Sequence, residues 1–211
     1  FSIGTLSYAW AKLYRKSFLD SNKIEFGDYR YAEDKIYNYF CYIAGARYAF
    51  IDKKIYVYRR NEQSVSNTYR KDGDKDWMRI AQDLQDKIDS LNYEKKQYSQ
   101  DEIENYESIV AWTIYFAAFF DGKMEYEYST GKIRAVINLL KRYASYDLTK
   151  KYLKNPLRYT KKIPALSYKI MLGGFAFLMK CSMYLLLSLG IKLLVDCHID
   201  ERLSDTGRKE D

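Results

Sequence analysis

The sequence predicts a mainly helical chain of the α+β class, and three observations predict it. Apolar residues recur at helical spacing through most of the length after residue 33, and only two short aromatic-rich stretches, 47–51 and 54–58, carry strand character. The composition shifts three times, dividing a mixed start from a helical middle, a basic-then-apolar end and a polar tail. With 211 residues, 47% of them apolar, the chain can bury one sizeable core.

Residues 1–70 are the mixed region. Over 33–46, Ile36, Phe40, Ile43 and Ala44 fall at i, i+4, i+7 and i+8, which is one helix face. Glu33 and Asp34 stand in the first turn, where the helix dipole favours negative charge. The polar, Gly73-containing stretch 61–76 reads as a loop.

Residues 71–148 read as a helical extension of three helices. Trp77, Ala81, Leu84, Ile88 and Leu91 alternate steps of four and three, giving one apolar seam. The second helix runs over 103–120, is apolar on every side in its later half, and is expected to stop at Asp121-Gly122-Lys123. In the third, Ile133, Val136, Ile137 and Leu140 form the inward stripe, with Lys132, Arg134, Lys141 and Arg142 toward water.

Residues 149–197 change character. Seven basic residues and no acid occupy 150–169, and 170–195 is then broken by charge only at Lys180 and Lys192. Its uncharged runs fall short of the roughly 18 to 20 residues that span a bilayer. Joining them would bury Lys180 at about 2.5 to 3.5 kcal/mol. The pattern therefore suits a helix lying in the interface of an anionic membrane, with Phe175, Phe177, Met183 and Leu185–Leu187 sinking inward. A buried helical hairpin bent at Gly173-Gly174 or Gly190 is the alternative. The tail, 198–211, is polar and expected to be disordered.

Counting removes several functions. His198 is the only histidine, which excludes a His-based zinc site and a Ser-His-Asp triad. Cys41, Cys181 and Cys197 are odd in number and far apart, so they read as reduced packing thiols of a cytoplasmic chain. A net charge of +7, pI about 9.0 and 23 tyrosines point to an anionic partner, and the absence of a helix-turn-helix, zinc-finger or RNP-type pattern argues against nucleic acid.

The order of short motifs in the first region carries more. Tyr8-Ala9-Trp10-Ala11-Lys12-Leu13-Tyr14-Arg15 is followed by Ile24-Glu25-Phe26, by Glu33-Asp34, by Tyr56-Val57-Tyr58-Arg59-Arg60 and by Ser64-Val65-Ser66. That order resembles the second half of the catalytic domain of family 2 glycosyltransferases, inverting enzymes of the GT-A nucleotide-sugar-binding fold. The resemblance implies transfer of a sugar from a nucleoside-diphosphate donor, a UDP-sugar, to a glycan or lipid-linked acceptor in cell-surface polysaccharide synthesis, by an enzyme peripheral on the inner face of the plasma membrane. It makes Asp34 the catalytic base, with Trp10, Lys12 and Glu33 on the acceptor side and Arg59, Arg60, Ser64 and Ser66 in a loop over the donor. Arginines of an edge strand that are merely solvated are the plainer alternative for that loop. The resemblance also implies a divalent cation, Mg or Mn, held by an Asp-x-Asp. No Asp-x-Asp stands ahead of Trp10 and the chain opens on Phe1, so a carboxyl-terminal fragment, inactive alone, is expected. The Gln-x-x-Arg-Trp signature of processive members is absent, which favours transfer of a single sugar. A non-catalytic, membrane-docking helical interaction module is the alternative from another class.

Overall fold

Helices form where the apolar spacing is that of a helix, and the computed structural model, which describes residues 8–30, 32–53, 55–57, 69, 71–91 and 98–197, is mainly helical. Among these residues the helices are α1 (Lys16–Ser21), α2 (Glu33–Ile43), α3 (Gly73–Asp89), α4 (Gln100–Tyr128), α5 (Lys132–Ser145), α6 (Asp147–Leu153), α7 (Pro156–Thr160), α8 (Leu166–Lys180) and α9 (Tyr184–Asp196). The chain divides into two compact units, one drawn from Phe1–Thr68 and Arg79–Val110, the other from Tyr69–Met78 and Ala111–Asp211.

The expected β content has no counterpart among the described residues. Residues 47–51 and 55–57 form no strand, and Phe50, Ile51, Ile55 and Val57 are exposed. Strand patterning stabilises nothing until a neighbouring strand takes the backbone bonds and a packed face takes the side chains. Among the described residues neither is supplied.

In the first unit α2 is the centre. Ile36 and Ile43 are buried as expected, but burial extends round the helix to Tyr37, Asn38, Tyr39 and Cys41. Ile24, Tyr37 and Cys41 make a small core, covered by Tyr14, Phe18, Leu19 and Phe40. Phe26 stacks on Tyr37 at 4.1 Å between ring centroids. From α3, Asp83 accepts a hydrogen bond from the Tyr29 hydroxyl at 2.7 Å, and Lys87 donates to the Asn22 carbonyl at 3.3 Å. The α3 seam packs through Ala81, Leu84 and Ile88, whereas Trp77 and Leu91 are only partly buried.

The second unit departs from the expected elements in three places, each for a packing reason. First, α4 does not stop at Asp121-Gly122-Lys123 but continues to Tyr128. Gly122 serves close approach instead: a Cβ there would lie 2.9 Å from Ile191 Cδ1 of α9, with Val136 and Leu140 of α5 beyond it. Second, α3 begins at Gly73, inside the expected loop, and glycine suits that position because a Cβ there would lie 2.9 Å from Asp121 Oδ2. Third, Arg142 is not simply turned to water. It pairs at 3.2 Å with Asp74, whose side chain is almost fully buried.

The expected single interfacial helix over 170–195 is two helices. They meet at residues 181–183, with Ser182 in the left-handed region at φ 56°, and not at Gly173-Gly174 or Gly190. Phe175 and Leu187, expected to sink into lipid, are buried in the protein, Phe175 edge-on to Phe119 at 5.7 Å. No helix among the described residues is long and apolar enough to cross a membrane. Cys41 is buried as expected of a packing thiol, but Cys181 and Cys197 are exposed. The tail beyond 197 lies outside the described residues.

Candidate functional site

The amino end of α2 gathers side chains from three stretches of sequence. Ala32 enters the helix in the left-handed conformation, φ 59°, and no side chain caps the first turn, leaving Glu33 exposed and Asp34 half-buried there. One turn on, Asn38 is 1% exposed and ties the surrounding chain down. Its amide donates to the Asp34 carbonyl at 2.8 Å and to the Tyr8 carbonyl at 3.0 Å, while its oxygen accepts from the Tyr14 hydroxyl at 2.8 Å. A buried amide with this many partners fixes the 8–14 segment against α2, since a lost partner would leave a buried polar atom unsatisfied.

Lys12 closes the same corner. Its ammonium donates to the Tyr8 carbonyl. Burial lowers its pKa, opposed by the nearby Asp34 carboxylate, so Asp34 acts on Lys12 through space. Burial also raises the Tyr14 phenol well above its ordinary value, keeping it a neutral donor to Asn38. The corner thus holds one carboxylate, one ammonium and one phenol within a short stretch of backbone.

Trp10 stands in a three-ring stack. Tyr8 lies 4.7 Å from it at 23°, and Tyr56 lies 4.6 Å from it at 14°. Tyr8 and Tyr56 are themselves about half exposed.

Of the residues singled out by sequence, Trp10, Lys12, Glu33 and Asp34 come together at this helix end, and Tyr56 joins them through the stack. Arg59, Arg60, Ser64 and Ser66 lie outside the described residues. Sequence reasoning passes over Asn38. The signal for it is a polar side chain four residues after Asp34, inside a helix otherwise buried on that side. Among the described residues no group of three or more His, Cys, Asp or Glu side chains is placed to hold a metal, so the implied Mg or Mn finds no fit among them.

A second polar cluster lies in the second unit, around the buried Asp74 and Tyr143. Asp121 accepts from the Tyr143 hydroxyl at 2.5 Å, and Asp74 accepts from Arg142 and from the Tyr146 hydroxyl at 3.1 Å. Glu125 accepts from Tyr69 at 2.9 Å. Burial pushes the Asp121 carboxyl up to about 7, with Asp74 and Glu125 adding to the rise and hydrogen bonds from Tyr143 and Trp77 opposing it. Comparison of the chain with protein-family models, with curated proteins and with solved structures returns no match.

Proposed function

We propose that this chain supplies the acceptor side and the general base of an inverting glycosyl transfer, with Asp34 as the base. The observation that carries the proposal is the assembly of Trp10, Lys12, Tyr14, Asp34 and Tyr56 around one helix end, from segments that the motif order alone relates. In the reaction a single displacement inverts the anomeric carbon. The acceptor hydroxyl oxygen forms the new bond, its proton passes to the Asp34 carboxylate, and the bond to the donor diphosphate breaks with the electron pair leaving on phosphate. Lys12 holds a positive charge near the carboxylate, and the half-exposed ring of Tyr56 offers a flat apolar surface to a sugar ring. The donor is proposed to be a UDP-sugar and the acceptor a glycan or lipid-linked glycan of the cell surface. The donor grip and its divalent cation are assigned to an Asp-x-Asp site that this sequence does not contain ahead of Trp10.

A second reading, a helical interaction module without catalysis, is favoured by the stacking of Trp10 on two protein rings and by the ordinary use of Glu-Asp at a helix start. The test that separates the two is Asp34→Asn, assayed in the chain joined to a nucleotide-sugar-binding half. Loss of turnover by about two to four orders of magnitude, with nucleotide binding kept, is expected of a general base. Turnover within twofold of the unaltered enzyme would sink the assignment. Calorimetric titration of this chain alone with uridine diphosphate and manganese is expected to give no saturable binding at micromolar ligand.

A further inference from the structure

We propose that the outward face of α9, together with the α8–α9 turn, docks on an anionic lipid bilayer. The inference stands apart from the reaction proposed above and rests on surface chemistry.

At about 100° per residue, Leu185, Leu189, Leu193 and Leu186 fall within an arc of about 100° on α9. All four are exposed, Leu185 at 58% and Leu193 at 59%. The opposite face, Leu187, Ser188 and Ile191, is the one buried in the protein. A surface helix ordinarily turns charge to water, and α9 turns leucine. Met183 and Phe177 at the adjoining turn are exposed as well, extending the apolar surface round the corner.

The charge around this face selects its occupant. Residues 148–196 carry nine lysines and arginines and one acid, Asp196, which lies on the leucine side of α9 and pairs with Lys192. Lys180, at the end of α8 and beside the turn, is exposed and donates to the Lys154 carbonyl at 2.7 Å. Lys192 projects beside the leucine row, paired with Asp196. A second copy of the chain would bring the same cationic surroundings against themselves. An anionic bilayer answers both features: the leucines enter the headgroup and acyl boundary while the long lysine stems carry their ammonium groups to lipid phosphate. Thirteen residues of helix measure about 20 Å, short of the hydrocarbon thickness, so α9 is assigned to the plane of the interface. Phe175 and Leu187 contribute to the protein core and not to this surface.

The experiment is flotation of the full chain with phosphatidylcholine vesicles, with and without phosphatidylglycerol. The chain is expected to float with the anionic vesicles and about tenfold less with neutral ones. The double variant Leu185→Ala, Leu189→Ala should lower partitioning about tenfold, with the circular-dichroism melt unchanged. Changing Lys154, Lys161 and Lys180 to Gln should weaken binding to anionic vesicles and flatten its salt dependence. Leu189→Trp adds a reporter whose emission should shift to the blue on anionic vesicles. Equal flotation on both vesicle types, no flotation, or unchanged flotation of the leucine variant would each overturn the proposal. So would a dimer by light scattering that the leucine variant converts to monomer, since the face would then belong to a second copy.

Discussion

Two carboxylates, one in each unit, invite the same first reading and have different uses. Asp121 is the strongly shifted acid, hydrogen-bonded by Tyr143 and Trp77 in the second unit with Asp74 and Glu125 nearby. Asp34, like Asp121 half-buried, stands at the start of α2 beside Lys12 and an aromatic stack. A perturbed carboxyl is commonly a pointer to an active site. Here the strongly shifted carboxyl is the one engaged by protein hydrogen bonds, while the candidate base stands beside Lys12 and the aromatic stack. The partners of a carboxylate bear on its role, and the size of a shift alone does not decide it.

The largest effect that could break this contrast is an exchange of phenotypes between the two acids. Asp34→Asn should abolish turnover in the joined enzyme and leave the melting temperature within a few degrees. Asp121→Asn should leave turnover alone and change the dependence of stability on pH. The sign follows from linkage. The folded carboxyl titrates at about 7 and the unfolded one at its ordinary value of 3.8, so between these pH values the folded state binds more protons. Stability is therefore lost as pH rises from about 4 to about 7, by on the order of a few kcal/mol, and is level above that. Asp121→Asn removes the desolvated charge and should raise the urea midpoint at pH 8 while changing it little at pH 4. A midpoint at pH 8 that falls on substitution would mean the ionised carboxylate is a net stabiliser, and the contrast drawn here would fail.

A smaller effect sharpens the first unit. Asn38→Ala deletes three hydrogen bonds at once and should cost about 2 kcal/mol, because the Tyr14 hydroxyl loses its 2.8 Å acceptor and residue 8 loses its tie to α2, although Lys12 still donates to the Tyr8 carbonyl. With Trp77 and Trp112 changed to Phe, the remaining Trp10 emission should shift to the red as the 8–14 segment loosens. An unchanged spectrum would show that the ring stack holds itself and that Asn38 is not the tether.

The smallest effect contrasts two helical glycines of the second unit. A Cβ added at Gly174 would meet nothing within 4 Å, so Gly174→Ala should stabilise by about 0.5 to 1 kcal/mol through backbone entropy. Gly122→Ala should forfeit that gain, since Ile191 Cδ1 would sit 2.9 Å away and must turn within a packed interior. Thermal midpoints that rise equally for both would remove the close-approach account of why α4 continues past residue 121.

Much of the helical framework is legible in the sequence, because periodicity is a local property. Ala81, Leu84 and Ile88 lie on the seam their spacing assigns to α3, and Val136 and Leu140 face inward on α5. The start of α4 carries a local signal too, which apolar spacing alone passes over: Ser99 and Glu102 cap each other reciprocally, Glu102 accepting from the Ser99 backbone at 2.9 Å and donating its own N–H to Ser99 Oγ at 3.2 Å. The candidate site is legible only as an ordered set of motifs. Their convergence on one helix end depends on Asn38, whose partners at residues 8 and 14 lie 30 and 24 positions away in the chain.

By itself the sequence determined that the chain would be mainly helical, that an acidic pair would open α2, and that a basic stretch would precede an apolar end too interrupted to span a bilayer. Only the tertiary structure decided which apolar side chains face the protein and which face outward. Phe175 and Leu187 turned in and Leu185, Leu189 and Leu193 turned out, although all are strongly apolar. It also carried α4 through Gly122 and drew Arg142 back to Asp74. The physical reason is that spacing along a chain fixes the relative directions of side chains on one helix, whereas the partner each direction meets is set by segments that periodicity does not connect.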